Sequence, residues 1–396
     1  MLSEIASSGF AFLAMTLSYD NINMFKMTTK EQNPAKLKSY SFISKWKECQ
    51  SFTEKITGKK PLFILVIGST ETALIPGISA AGKNINDLKN TPALDAEFLV
   101  LKKEEFKKQI PVSPDGIASP VIISKAMTDL LDLDVCVIDV GAFVKPECNH
   151  ISLNMGPAKC LTKGQALSPV QIDFLFQKAE KLATKLNDFP YFVIGECVPG
   201  GTTTALSVLC ALGIDAFGLI NSSFPEGNHF FKNQTVKEAL LENAAAFSEI
   251  KKDPLKAVEF FGDPMQVFIA GFIKGAQKTE KPIMLAGGSQ MVSVYYLSRM
   301  ILDYNPHDVA ISTTSWIAND KNANIKKLGE LTSAPIIYSR VNFTDSKYEG
   351  LSAYEKGHIK EGVGAGGLMT VADLYKNLSQ EEILSSIENL YSEVCP

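Results

Sequence analysis

The stretch that most constrains this chain is residues 191–213, YFVIGECVPGGTTTALSVLCALG. Four aromatic or apolar residues lead into Gly195 and Glu196, then the pair Gly200-Gly201, then Thr202, Thr203 and Thr204 opening an Ala/Leu-rich run with helical spacing. That order predicts a strand, a tight loop and a helix. Such a turn aims backbone N–H groups and the positive end of the helix dipole at whatever sits above the strand, so its natural ligand is a phosphate or another anion. The spacing approaches a triphosphatase P-loop, but Gly201 stands where the lysine that reaches the terminal phosphates belongs. A phosphate cradle without triphosphate chemistry follows. The same glycines would also serve a purely structural turn that lets helix and strand pack.

From residue 60 onward, short β-rich apolar runs alternate with longer helical patterns, which predicts an α/β fold: a doubly wound, mostly parallel sheet with helices on both faces. About six strands are expected, at residues 62–67, 135–139, 191–194, 283–286, 309–312 and 336–341, with helices near 121–131, 236–248, 266–277 and 292–302. Ser168-Pro169 reads as a helix N-cap with proline at the first helical position, and Ser379 with Glu382 as a capping box. Residues 61–369 make the α/β domain. The flanking segments 36–60 and 370–396 are mostly helical in pattern and are expected to pack together as a small lobe. Residues 1–35 read as a poorly ordered extension; its apolar run 10–17 is too short to span a bilayer and lacks the preceding Lys or Arg of a secretory signal.

Composition narrows the function classes. A chain of 396 residues that is 45% hydrophobic buries a large core, and its net charge of −4, with both signs interspersed, offers no footprint for nucleic acid or an anionic membrane. Small molecules are the expected partners. Seven cysteines without a C-x-x-C pair fit a reducing, cytoplasmic setting rather than a disulfide framework or zinc site. The four histidines, at 150, 229, 307 and 358, match no metal-ligand spacing, so neither metal nor cofactor is expected.

In an open α/β sheet, ligands bind beyond the carboxyl ends of the strands. Glycine-bearing loops fall there after four expected strands, Gly287 and Gly288 among them, and together they suggest a backbone-lined pocket. A further loop, HIKEGVGAGG at 358–367, formally satisfies G-x-G-x-x-G, but no strand runs into it and too little chain follows for a dinucleotide-binding unit. What remains is Glu361 beside Gly362 and Gly364, a candidate general base, although the loop taken alone equally suits a solvated carboxylate. His358 is close enough in sequence to reach the same ligand.

Taken together, G-E-x-x-x-G-x-T-T-T at 195–204 and E-G-x-G-A at 361–365 resemble the nicotinate-nucleotide:dimethylbenzimidazole phosphoribosyltransferase family. The resemblance implies that Glu196, Gly200, Gly201, Thr202 and Thr203 hold phosphate and ribose, that Lys232 lies near the nucleotide phosphate, and that Glu361 is the general base. It further implies nicotinate mononucleotide and an aromatic base as substrates, and a homodimer. The chain departs from the family pattern: one glycine and the asparagine of the first motif are missing, and Val363 replaces the threonine of the second. A divergent branch is indicated, and a non-catalytic or differently specific nucleotide-binding α/β protein is the alternative. Gly201 in place of lysine argues against a kinase, and the lack of a G-x-S-x-G elbow against a serine hydrolase.

Overall fold

Eight strands form one sheet: β1 (Tyr40–Ser44), β2 (Leu62–Ile67), β3 (Asp134–Asp139), β4 (Ile151–Ser152), β5 (Phe192–Cys197), β6 (Ile283–Ala286), β7 (Val309–Thr313) and β8 (Ile336–Ser339). Their order is β1-β8-β7-β6-β5-β2-β3-β4, and every pairing is parallel except that of β1 with β8. The computed structural model describes residues 38–396 apart from Ser223, Pro225, Gly227, Pro306 and Pro396. The expected extension over residues 1–35 lies outside the described residues.

The α/β architecture follows the expected pattern because each central strand is buried on both faces and therefore reads as a continuous apolar run. In β2, Leu62, Ile64 and Val66 join Ile194, Leu285 and Ile311 in one core, while Phe63, Leu65 and Ile67 join Val193, Met284 and Ala310 in the other. The two strands beyond the expected six are the edges. β1 is only partly buried and carries no long apolar run, and β4 is a two-residue pairing of Ile151 and Ser152 with Ile138 and Asp139. Such short edge strands leave little local signal.

Helices Pro169–Lys185, Gly201–Ala211, Pro264–Lys278 and Ser289–Ile301 cover the first core; helices Trp46–Ile56, Val121–Leu131, Ala365–Lys376 and Gln380–Val394 cover the second. The flanking segments thus bring Cys49, Phe52 and Ile56 from one end and Ile383 and Ile387 from the other into the same apolar cluster as Val121 and Leu131. Both anticipated caps form: Ser168 accepts from the Gln171 N–H at 3.3 Å, and Ser379 from the Glu382 N–H at 3.2 Å. The helix expected at 236–248 begins earlier, spans His229–Glu242, and ends where the Asn243 N–H bonds Ala239 O at 3.2 Å.

The strand order places the site. β2 and β5 are neighbours, yet the chain leaves β2 toward β3 and leaves β5 toward β6, on opposite sides. A crevice opens at such a switch point, beyond the carboxyl ends of the two strands.

Candidate functional site

The two glycine-rich motifs meet over this crevice. A Cβ on Gly195 would stand 2.9 Å from the Gly364 backbone nitrogen, so the second loop lies directly on the end of β5 only because neither residue has a side chain. The contact is locked by the Val363 N–H, which donates to Glu196 O at 2.9 Å, and by the Ser124 hydroxyl, which donates to Val363 O at 2.8 Å. Val363 sits at φ 53°, a left-handed conformation costly for a β-branched residue. It is the residue that departs from the resembling family's motif.

Between these loops lies a cleft of about 750 Å³, open mouth included. Glu196, Gly200, Gly201, Thr202, Glu361 and Gly362 line it. Other candidates fall outside its wall. Thr203 is buried beneath, Gly364 lies against Gly195 and the Phe63 ring, Gly287 lies under Met291, and Gly288 faces Ile317. His358 pairs with Asp115 at 3.1 Å instead. Lys232 is buried one layer back and reaches the cleft through Thr202.

Two carboxyl groups share the cleft. Glu361 is held by four donors: the Gly362 and Gly366 N–H groups on Oε1, at 3.1 and 3.2 Å, and the Thr313 hydroxyl and Thr314 N–H on Oε2, at 3.1 and 3.0 Å. Burial pushes it up to about 7 against the pull of those donors. Glu196 is the more deeply buried. It accepts only from the Val198 N–H and the Gln290 amide, both at 3.0 Å, and burial, reinforced by the charges of Asp263 and Glu361, pushes it up to about 8. A third carboxyl, Asp95, also lines the cleft and accepts from the Cys197 thiol at 3.2 Å.

The turn that follows Glu196 lies near two cationic groups. Gly200, at φ 79°, turns the chain into the helix Gly201–Ala211, but the Gly201 and Thr203 N–H groups are already bonded, to Val198 O and Gly200 O, each at 2.9 Å. The loop therefore offers an anion fewer backbone donors than its glycines suggested. Lys232 stands behind it, and Lys360 lies nearby in the wall of a neighbouring cavity. The Lys232 ammonium donates to Thr202 Oγ1 at 3.0 Å and Asn221 O at 3.1 Å; Lys360 donates to Ser222 O at 2.7 Å and pairs with Asp320 at 3.3 Å. Burial, then the charge of Lys360, draws Lys232 down to about 7, and burial lowers Lys360 as well. Two buried ammonium groups thus share one buried carboxylate, and the excess positive charge suits an anion.

Sequence reading passed over three of these residues. Lys360 adjoins Glu361 and its charge was readable, but its burial was not. Gln290 opens the helix after β6, and Asp95 sits within the helix Ile85–Val100, where a lone acid reads as a solvated surface group. Among the described residues, no group of three or more His, Cys, Asp or Glu is arranged to hold a metal ion. No described helix is long and apolar enough to cross a membrane.

Residues 121–312 match a family model described as phosphoribosyltransferase. A UPF0284 protein of Trichodesmium erythraeum is 38% identical over 353 residues, spanning 87% of this chain and 95% of the relative. One from Gloeothece citriformis is 39% identical over 354 residues, spanning 87% and 94%. Among solved structures, the fold is similar to nicotinate-nucleotide-dimethylbenzimidazole phosphoribosyltransferase from Thermus thermophilus, with a TM-score of 0.54 at 14% identity over 86% of this chain and 87% of that one.

Proposed function

The chain belongs to the UPF0284 family and matches the phosphoribosyltransferase family over residues 121–312, and on that footing we propose that it transfers the 5-phosphoribosyl group of nicotinate mononucleotide to a benzimidazole-type or purine base, in the cytoplasm. The product would be the α-riboside phosphate of a cobamide lower ligand. One observation carries the reading: two carboxyl groups, Glu196 and Glu361, line a cleft that the first turn of the helix Gly201–Ala211 also lines, with the buried Lys232 bonded to Thr202 behind that turn.

The chemistry suits that arrangement. The ribosyl C1–N bond breaks with its electron pair passing to the pyridinium nitrogen, so nicotinate leaves without needing an acid. The proton-free nitrogen of the azole bonds to C1 with its lone pair, and the ring's other nitrogen gives up its N–H proton. The protein's tasks are to fix both partners and receive that proton. In this reading Lys232 and the Thr202 helix end hold the phosphate, and Glu361, the more open carboxyl, receives the proton. A second reading gives the proton to Glu196, whose oxygens hold two donors rather than four and which acts as base only in its ionised form, reached as pH rises through about 8.

The test is to incubate purified protein with nicotinate mononucleotide and a panel of benzimidazoles and purines, following nicotinate release. Release that depends on the base is expected. Nucleotide binding with no release under any base would overturn transfer and favour a non-catalytic nucleotide-binding protein.

A further inference from the structure

We infer that the acceptor base carries a hydrogen-bond donor, an N–H or O–H, on the edge remote from its reacting nitrogen, and that Asp95 reads it. The inference rests on the transfer reading above and names the class of base.

Asp95 projects from the helix Ile85–Val100 into the cleft wall and is 1% exposed. Its Oδ2 accepts from the Cys197 thiol, while Oδ1 is buried with no hydrogen-bond partner. A buried carboxylate oxygen left in this state is costly, and buried polar atoms in folded proteins nearly always find a partner. In a cleft wall, that partner is the ligand. Of the nearby hydroxyls, Thr91 donates to Ala81 O at 2.7 Å, and Ser119, which accepts from the Val121 N–H at 3.3 Å, lies beside the Asp95 carboxyl but leaves Oδ1 unpaired. The lining also includes the apolar Ile78, Ala80, Pro111, Val112 and Pro120, which suit an aromatic ring.

Position separates this acceptor from the sugar. The other unpaired buried acceptor of the cleft is Gln290 Oε1, which lies against Gly201 on the phosphate side and suits a ribose hydroxyl. Asp95 is on the Cys197 side, next along β5 from Glu196. A ring presenting its N–H to the carboxyls of Glu196 and Glu361 would turn its far edge toward Asp95. A methyl group there would leave Oδ1 unpaired, whereas an amino group would satisfy it.

The experiment is calorimetric titration of the wild-type protein, at pH 8, with 5-aminobenzimidazole and with 5-methylbenzimidazole, which match in size and differ in one donor group. At that pH the Asp95 carboxyl, pushed up to about 7 by burial against the Ser119 hydroxyl and Cys197 thiol, is mostly ionised. The amino compound should bind roughly ten- to hundredfold more tightly, the range expected for an unpaired buried group. In Asp95→Leu that preference should vanish or reverse. Should that variant fail to fold, the closer-shaped Asp95→Asn, which turns an N–H toward the ligand's amino group, should lose most of the preference. Equal affinity in wild type, or a preference unchanged in the variant, overturns the inference while nicotinate release continues. A protein that binds neither base and releases no nicotinate overturns the transfer reading along with it.

Discussion

Glu361 accepts four hydrogen bonds, which fill about all the lone-pair directions of a carboxylate, so a proton reaches it only as one of those donors gives way. An amide in its place would turn an NH2 group toward two donors. Glu361→Gln is therefore expected to lose ~10²- to 10⁴-fold in turnover and, separately, about 1–3 kcal/mol of stability. Nicotinate release and urea unfolding measure the two effects; turnover within about twofold of wild type would remove Glu361 from the chemistry. Glu196→Gln should behave differently. With its carboxyl pushed up to about 8, Glu196 is mostly protonated at neutral pH, and an amide mimics the protonated acid, so little stability should be lost. A larger turnover loss in Glu196→Gln than in Glu361→Gln would transfer the role of base to Glu196. The pH profile gives an independent sign: a carboxyl near 7 acting as base makes the rate rise as pH increases through 7.

At the scale of the element, the anion site is the first turn of the helix Gly201–Ala211 together with Lys232 packed behind it. Lys232 is drawn down to about 7, so its ammonium form is lost as pH rises through that value and anion affinity should fall with it. Sulfate is the suitable probe because it stays doubly charged over the whole range. Calorimetry from pH 6 to 9 should show affinity declining with pH, with the midpoint above 7 once the bound anion supports the ammonium. Lys232→Met should weaken binding by about tenfold or more and flatten the pH dependence. A flat profile in wild type would place the anion elsewhere. The other glycine loop works differently from this turn: Gly364, Gly366 and Gly367 let the helix Ala365–Lys376 start directly on the ends of β5, β7 and β6, and only Gly362 of that run faces the cleft.

At the scale of the whole molecule, the doubly wound order puts the cleft between β2 and β5 and recruits its walls from segments far apart in the chain. We propose a homodimer as the assembly, since oligomers of globular proteins are most often symmetric dimers. The helix His229–Glu242 leaves Phe230, Phe231 and Leu241 exposed by 74%, 61% and 77%, a large apolar display for one helix beside a candidate site. Light scattering at micromolar concentration should return twice the chain mass, and Phe231→Glu should lower it toward one. A monomer mass for the wild type would overturn the assembly.

Much of this was written in the chain itself. Parallel strands buried on both faces must be continuous apolar runs, so the central strands could be read directly, and capping residues marked helix starts because orphan N–H groups need local partners. The two motif loops stood out for the same local reason: glycine runs beside a lone acid are uncommon. What the chain alone left open was pairing and burial. Edge strands β1 and β4 exist through neighbours, β8 and β3, that lie far from them or bond them by two residues. Glu361 read equally as a surface carboxylate and a base until the fold put Thr313, Thr314 and Gly366 around it. Asp95 and Lys360 looked like ordinary surface charges until the fold brought Cys197 to one and Asp320 to the other. Periodicity and capping act over a few residues and so are legible in order along the chain, whereas the desolvation of a single charged atom depends on every segment packed over it, and only the tertiary structure decides which those are.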